Sequence, residues 1–311
     1  MPGSQSAGGD PDRVLPPAVP VGRGSTAGVA VLGHLRRQTA ALLAADAGLP
    51  DRVDDSVHAA RVAARRLRSG LRVYGDLLRD DVSAQLRREL AWYAGTLSPA
   101  RDLEVFGGWL RGPDPVEGLA DAVLPWVERR LSAALDDAAA ASTSERATAL
   151  KAALVEVSRA PRFVDVASRP APKVLAPRVL RADERAARQL DSLRPGDDSH
   201  LWHAARITAK RARYAAEVGA PAIGRDCEDL ARLWSTLTEP LGDAQDAVIQ
   251  RGLVLDRVDD AAVPLSAGEA FVCGVFVAST HDREVELHRR ARQVWKQARD
   301  EHRRLRRSVA P

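Results

Sequence analysis

The sequence predicts an all-α protein built on an internal duplication. Three observations carry that reading. Hydrophobic residues make up 45% of the 311 but aromatics 4%, so the core must be Ala, Leu and Val, a composition that favours helix. Apolar positions recur at helical spacing between breaks that contain Pro or Gly. One pattern occurs twice: H-A-A-R-V-A-A-R-R-L-R-S-G-L-R-V-Y starting at His58, and H-A-A-R-I-T-A-K-R-A-R-Y starting at His203. At one constant offset His58 meets His203, Arg61 meets Arg206, Arg65 meets Lys210, Arg66 meets Arg211, and Arg68 meets Arg213.

Residues 1–24, rich in Gly, Pro and Ser, are expected to form a disordered leader. A first half, 25–160, begins with a helix over 26–47 on which Val31, Leu35, Leu42 and Leu43 give an apolar face and His34 is partly exposed. Gly48-Leu49-Pro50 ends it. Asp54, Asp55 or Ser56 caps the next helix, which carries the first basic pattern to residue 78. A third helix, 80–96, holds Leu86, Leu90, Trp92 and Tyr93, and Pro99 breaks it. A fourth opens at Arg101 and runs to 110; two packing helices follow over 116–140 and 144–158. Pro161, Pro170, Pro172 and Pro177 mark 161–177 as the connector between the halves. The second half, 178–308, repeats the scheme, with helices at 179–193, from the loop 195–199 through the second basic pattern, and at 225–237, 243–255, 266–280 and 282–307. The last is heavily basic and reads mostly as a solvated, frayed end.

On a helix of about 100° per residue, His58, Arg61, Arg65, Arg68 and Arg72 share a stripe roughly 80° wide. Apolar residues such as Val57, Ala60, Ala64, Leu67 and Leu71 lie beside it, so the helix can bury one side and present guanidiniums from another. In the second copy His203, Arg206, Lys210 and Arg213 form the stripe; Arg211 is set aside, as Arg66 is, and Glu217 stands where Arg72 stood. Like charges at i, i+3 and i+4 repel, so helix stability alone does not select this pattern. The plain alternative is a solvated arginine-rich face. Of the 46 basic residues, Lys151, Lys173, Lys210 and Lys296 are the lysines, so arginine is abundant everywhere. The matched second copy is what argues for a ligand. Arg36, Arg37, Arg178, Arg181, Arg289, Arg292 and Lys296 are candidates to extend the basic surface.

The double H-x-x-R-x-x-x-[RK]-R-x-R pattern resembles the CHAD domain, the conserved histidine α-helical domain. A second paired motif strengthens the likeness: L-S-P-A-R-D-L over 97–103 and L-G-D-A-Q-D-A over 241–247. The resemblance covers 25–308 and implies two helical bundles related by a pseudo-twofold axis. It further implies that the basic surface binds inorganic polyphosphate, and some members of that family associate with polyphosphate granules. Asp102 and Asp246 occupy matched positions and are read as orienting nearby arginines; simple helix N-capping explains them equally well.

The chemistry suits a phosphate chain. Guanidinium is a planar fork of donors matched to phosphate oxygens, and repeats at i, i+3 and i+4 set such forks about 5 Å apart. Histidine adds a donor that titrates near neutrality. Net charge is +4, so an anion site must come from local clustering. RNA is the first rival, but the two basic patterns carry only Tyr74 and Tyr214, at unmatched positions, as stacking platforms. A metal is disfavoured because both histidines lie among cations, without H-x-x-E or H-x-x-x-H spacing. No P-loop, magnesium-binding carboxylate cluster or Gly-rich cradle supports phosphohydrolase or polyphosphate kinase activity, so no catalytic residue, metal or cofactor is expected. A pure scaffold leaves the duplicated stripes unexplained. Cys227 and Cys273 form no disulfide or zinc pattern. The absence of a signal-peptide layout or an 18-residue apolar run adds to a cytoplasmic expectation.

Overall fold

The computed structural model describes residues 15–79, 81–112 and 116–310. Among these it is built from helices: α1 (Ala27–Ala47), α2 (Ser56–Tyr74), α3 (Val82–Thr96), α4 (Ser98–Leu110), α5 (Leu119–Thr143), α6 (Glu145–Arg159), α7 (Ala171–Ser192), α8 (Ser199–Ile223), α9 (Arg225–Val258) and α10 (Ala267–Val309). Two 3₁₀ turns, Gly75–Leu77 and Asp165–Ser168, join them. The extended pairing among described residues amounts to two isolated bridges, Thr26 with Pro170 and Leu78 with Phe163.

Local chemistry sets the helix starts. Thr26, Ser144 and Asp198 accept backbone N–H bonds from Val29, Ala147 and His200. Ser266 and Glu269 form a reciprocal capping box at the start of α10. α2 differs from expectation: Asp55 precedes it in a left-handed conformation (φ 60°) and makes no side-chain cap. Its α-helix stops at Tyr74 and a 3₁₀ turn covers the rest.

Four sequence expectations are corrected. Pro99 does not delay the fourth helix to Arg101; it sits in the first turn of α4, where a missing N–H costs nothing. In the second half the matched position is Asp243, and nothing breaks the chain there, so the expected helices 225–237 and 243–255 form one 34-residue helix, α9, with Pro240 inside it. The two expected terminal helices likewise merge into the 43-residue α10, whose end is not frayed: Trp295, His302, Leu305 and Val309 are buried. Pro170, Pro172 and Pro177 do not belong to an irregular connector; Pro172 lies in the first turn of α7 and Pro177 inside it. The irregular linker is thus shorter than 161–177. Of the expected leader, residues 1–14 lie outside the described residues. Leu15 is buried, Val21 packs on the core, and the Pro17 carbonyl accepts from Arg36.

A continuous apolar core runs through the molecule, with Tyr74, Tyr93, Phe106, Trp234 and Trp295 as its large members. α2 packs on α1, α3 and α8, while α8 packs on α7 and α9. The α2–α8 seam brings the two basic patterns together. Across it the Tyr74 hydroxyl donates to the Ala215 carbonyl (2.7 Å), and Arg65 Nε donates to the Tyr214 hydroxyl (2.9 Å). His34 is buried rather than partly exposed, with Nε2 3.3 Å from the Arg66 carbonyl. Gly70 makes room for it: a Cβ there would stand 2.8 Å from His34 Nε2.

Candidate polyanion cleft

α2 and α8 present their basic stripes to a single cleft of about 340 Å³. His58, Arg61 and Arg65 line it from α2, and His203, Arg206 and Lys210 from α8. α4 adds Arg101 and Asp102, and α9 adds Gln245 and Asp246. The paired motifs therefore meet at one place, although one copy sits at a helix junction and the other inside a long helix.

The side chains are held differently. Arg61 Nη1 donates to the carbonyls of Leu97 (3.3 Å) and Ser98 (2.9 Å), and lies 3.6 Å from the Asp102 carboxylate. Arg61 thus ties α2 to the α3–α4 junction. A ring nitrogen of His203, Nδ1, hydrogen-bonds the Gln245 amide oxygen. Arg65 is fixed through Tyr214, whose buried ring also has the Arg65, Arg66 and Arg213 guanidiniums 5.7–6.0 Å from its centroid. Arg206 Nε is buried without a hydrogen-bond partner.

Other predicted residues fall elsewhere. Arg66 and Arg213 turn to Glu217, at 3.6 Å and 2.7 Å, so the acid that replaces Arg72 in the second copy binds two of the expected anion ligands. Arg68, Arg72 and Arg211 line a neighbouring cleft with Arg87 and Arg88 of α3. None of the proposed extension lines the central cleft. Arg36 donates to Ser158 and Pro17 carbonyls, Arg178 grips Asp76 with two nitrogens, and Arg292 donates to the carbonyls of Leu190 and Asp191. Arg289 pairs with Glu286. Arg37, Arg181 and Lys296 line neither cleft.

A domain model described as CHAD domain matches residues 33–255. The chain belongs to the CHAD domain family. The CHAD domain from the plant Ricinus communis superposes with a TM-score of 0.74 at 21% identity, covering 90% of this chain and 95% of that one. PptA from Streptomyces chartreusis superposes with a TM-score of 0.70 at 22% identity, covering 88% and 100%. Both likenesses concern the fold. Two Mycobacterium tuberculosis relatives, the uncharacterized proteins MT2285 (strain CDC 1551 / Oshkosh) and Rv2226 (strain ATCC 25618 / H37Rv), are each 29% identical over 94% of this chain and 54% of their own length. The chain spans about half the length of these curated relatives.

The CHAD cleft is electrostatically tense. Burial pushes Lys210 down to about 7, helped by Arg206, Arg65 and Arg213 and opposed by Asp246. Burial also lowers Arg206 and His58; for His58 the Arg101 and Arg65 charges add to it. Asp102 and Asp246 are raised by burial, against the pull of Arg61 on the first and of Arg206 and Lys210 on the second. His58, Arg206 and Lys210 are partly stripped of water and crowded by like charges. An anion with several oxygens would relieve both conditions. Sequence reasoning missed Arg101 and Gln245 as cleft residues. They occupy matched positions of the second motif, which was the available signal. Among the described residues no three His, Cys, Asp or Glu side chains gather as metal ligands, and no helix is long and apolar enough to cross a membrane.

Proposed function

We propose that this CHAD chain binds inorganic polyphosphate, without catalysing its turnover, in the cleft between α2 and α8. The observation that carries the reading is the convergence of both basic copies on one cavity, with His58, Arg61 and Arg65 facing His203, Arg206 and Lys210. The family resemblance supplies the identity of the anion; the geometry supports a polyanion of closely spaced oxygens. Two halves derived from one ancestral bundle and related by a pseudo-twofold axis would account for the convergence. Cytoplasmic localisation and association with polyphosphate granules belong to the same proposal.

Arg65, Arg206 and Lys210 are the principal ligands in this reading. Arg61 contributes remaining donors while Asp102 and the 97–98 carbonyls hold it; Asp246 does the same for Arg206 and Lys210 through charge. Arg66 and Arg213 support Tyr214 and Glu217 rather than the ligand. Replacing Arg61, Arg65, Arg206 and Lys210 together by Ala is expected to abolish retention of long-chain polyphosphate while far-ultraviolet circular dichroism stays helical. RNA serves as the competitor. Unchanged polyphosphate affinity in a folded quadruple variant refutes the site, and displacement of polyphosphate by equimolar RNA refutes the choice of anion.

A further inference from the structure

Beside the central cleft lies a second one of about 460 Å³, where α2 gives Arg68 and Arg72, α8 gives Arg211, and α3 gives Arg87 and Arg88. No Asp or Glu lines it. Arg87 Nε donates to Ser83 of its own helix; the other four guanidiniums have no ion pair among the described residues. Some arginines elsewhere find acids, as Arg52 does with Asp136, Arg111 with Glu128 and Arg146 with Glu89, and others do not. What sets this cleft apart is that five guanidiniums from three helices converge on it with no acid in its lining.

The two clefts are neighbours in charge as well as in sequence. Arg65, which lines the central cleft, acts on Arg68 in the second; Arg68 and Arg72 act on Arg211. The central cleft also adjoins a third cavity, which shares Asp102 and Ile249 with it. That one carries Asp137 and Asp256 against a lone Arg130. The surroundings of the central cleft are therefore basic toward α3 and acidic toward α5 and the end of α9.

We propose that the cleft of Arg68, Arg72, Arg87, Arg88 and Arg211 is a second phosphate-chain subsite, giving the bound polyanion one direction of exit, over α3 and away from Asp137 and Asp256. The proposal rests on the reading of the central cleft given above. A short polyphosphate is satisfied by the central cleft. A longer chain continues past Arg65 and Arg68, and its outer segment lies on Arg87 and Arg88. Length selectivity thus resides in α3, outside both repeated motifs.

The test compares tripolyphosphate with long-chain polyphosphate by calorimetric titration over a range of salt. The R87Q/R88Q variant alters one half-buried and one exposed position of α3, and its fold is checked by circular dichroism and melting. Long-chain affinity is expected to fall roughly tenfold or more, since each lost charge-assisted contact is worth at least a severalfold factor. The slope of log affinity against log salt is expected to fall by about two, roughly one per lost phosphate contact. Tripolyphosphate binding stays at the native value. D137N/D256N serves as the opposite control and leaves long-chain affinity undiminished. Native long-chain affinity and salt slope in folded R87Q/R88Q overturn the proposal while the central site stands, as does a large loss in D137N/D256N. If the native chain retains neither ligand, the central site falls and this subsite with it.

Discussion

Lys210 makes polyphosphate affinity depend on pH in a calculable way. Its ammonium is disfavoured in the empty cleft, with a pKa of about 7 in place of the ordinary 10.5. That gap corresponds to roughly 5 kcal/mol against the charged form, as an upper bound. A polyanion beside Lys210 restores the charged form, so binding takes up a proton wherever the free amine is neutral. If the bound pKa returns to its ordinary value, affinity falls roughly seventyfold, about 2.5 kcal/mol, as pH rises from about 7.5 to 9.5. Among the groups facing Lys210, the His58 imidazole is lowered from its ordinary value and is already neutral throughout this window. Titration of polyphosphate into the native chain, K210R and K210M over that range provides the measurement. K210R should bind tightly with a flat profile, and K210M weakly with a flat profile. A native profile as flat as that of K210R refutes the argument, because it would mean that Lys210 keeps its proton in the empty cleft.

Three further predictions concern the frame that holds the cleft. Asp183, buried at 0% exposure, accepts from Trp234 Nε1 (2.9 Å) and His302 Nε2 (2.8 Å). D183A should cost about 3–5 kcal/mol in urea unfolding by leaving buried donors unpaired, whereas D183N, which keeps the accepting oxygen, should cost less. His34 is held down to about 4 by burial, so between pH 6.5 and 4 the unfolded chain binds a proton that the folded chain refuses. Stability from this residue is present above pH 6.5 and declines by up to about 3 kcal/mol as pH falls to 4; the decline should vanish in H34Q. Y74F removes the buried bond to the Ala215 carbonyl and should cost about 1 kcal/mol, read from the urea midpoint at unchanged m-value.

The helical class and the two basic stripes were legible because both rest on local spacing; that the stripes face each other followed only from the duplication and the family resemblance. A stripe needs only 3.6 residues per turn, and a duplicated stripe reports shared placement wherever the copies fold alike. The failures have a common cause. Helix ends depend on what a break meets in three dimensions: Pro99 is harmless in a first turn, while the matched Asp243 passes unnoticed inside α9. The basic end of α10 looks solvated from composition, yet its buried face is spelled by four widely spaced residues, Trp295, His302, Leu305 and Val309, that dock against other helices. His34 lacks a sequence signal for burial, because its seat is a missing side chain, Gly70, on another helix.

Charge partners were the least legible feature, and they divide the predicted ligand set. A helical wheel sets Arg66 and Arg211 apart from the stripes but cannot say which basic residue an acid will claim. In the fold, Glu217 claims Arg66 and Arg213, and Asp102 claims part of Arg61, while Arg68, Arg72 and Arg211 keep no acid near them. A single position separates the copies here, since Arg72 in the first is Glu217 in the second. That one exchange of sign sets a carboxylate between Arg66 and Arg213 on the α2–α8 seam, next to a buried Tyr214 with three guanidiniums around its ring. Two fully basic stripes packed side by side would repel along their whole length. The duplicated pattern can close into one cleft because its second copy gives up a cation at the seam, leaving the uncompensated charge at the cleft and on its α3 side.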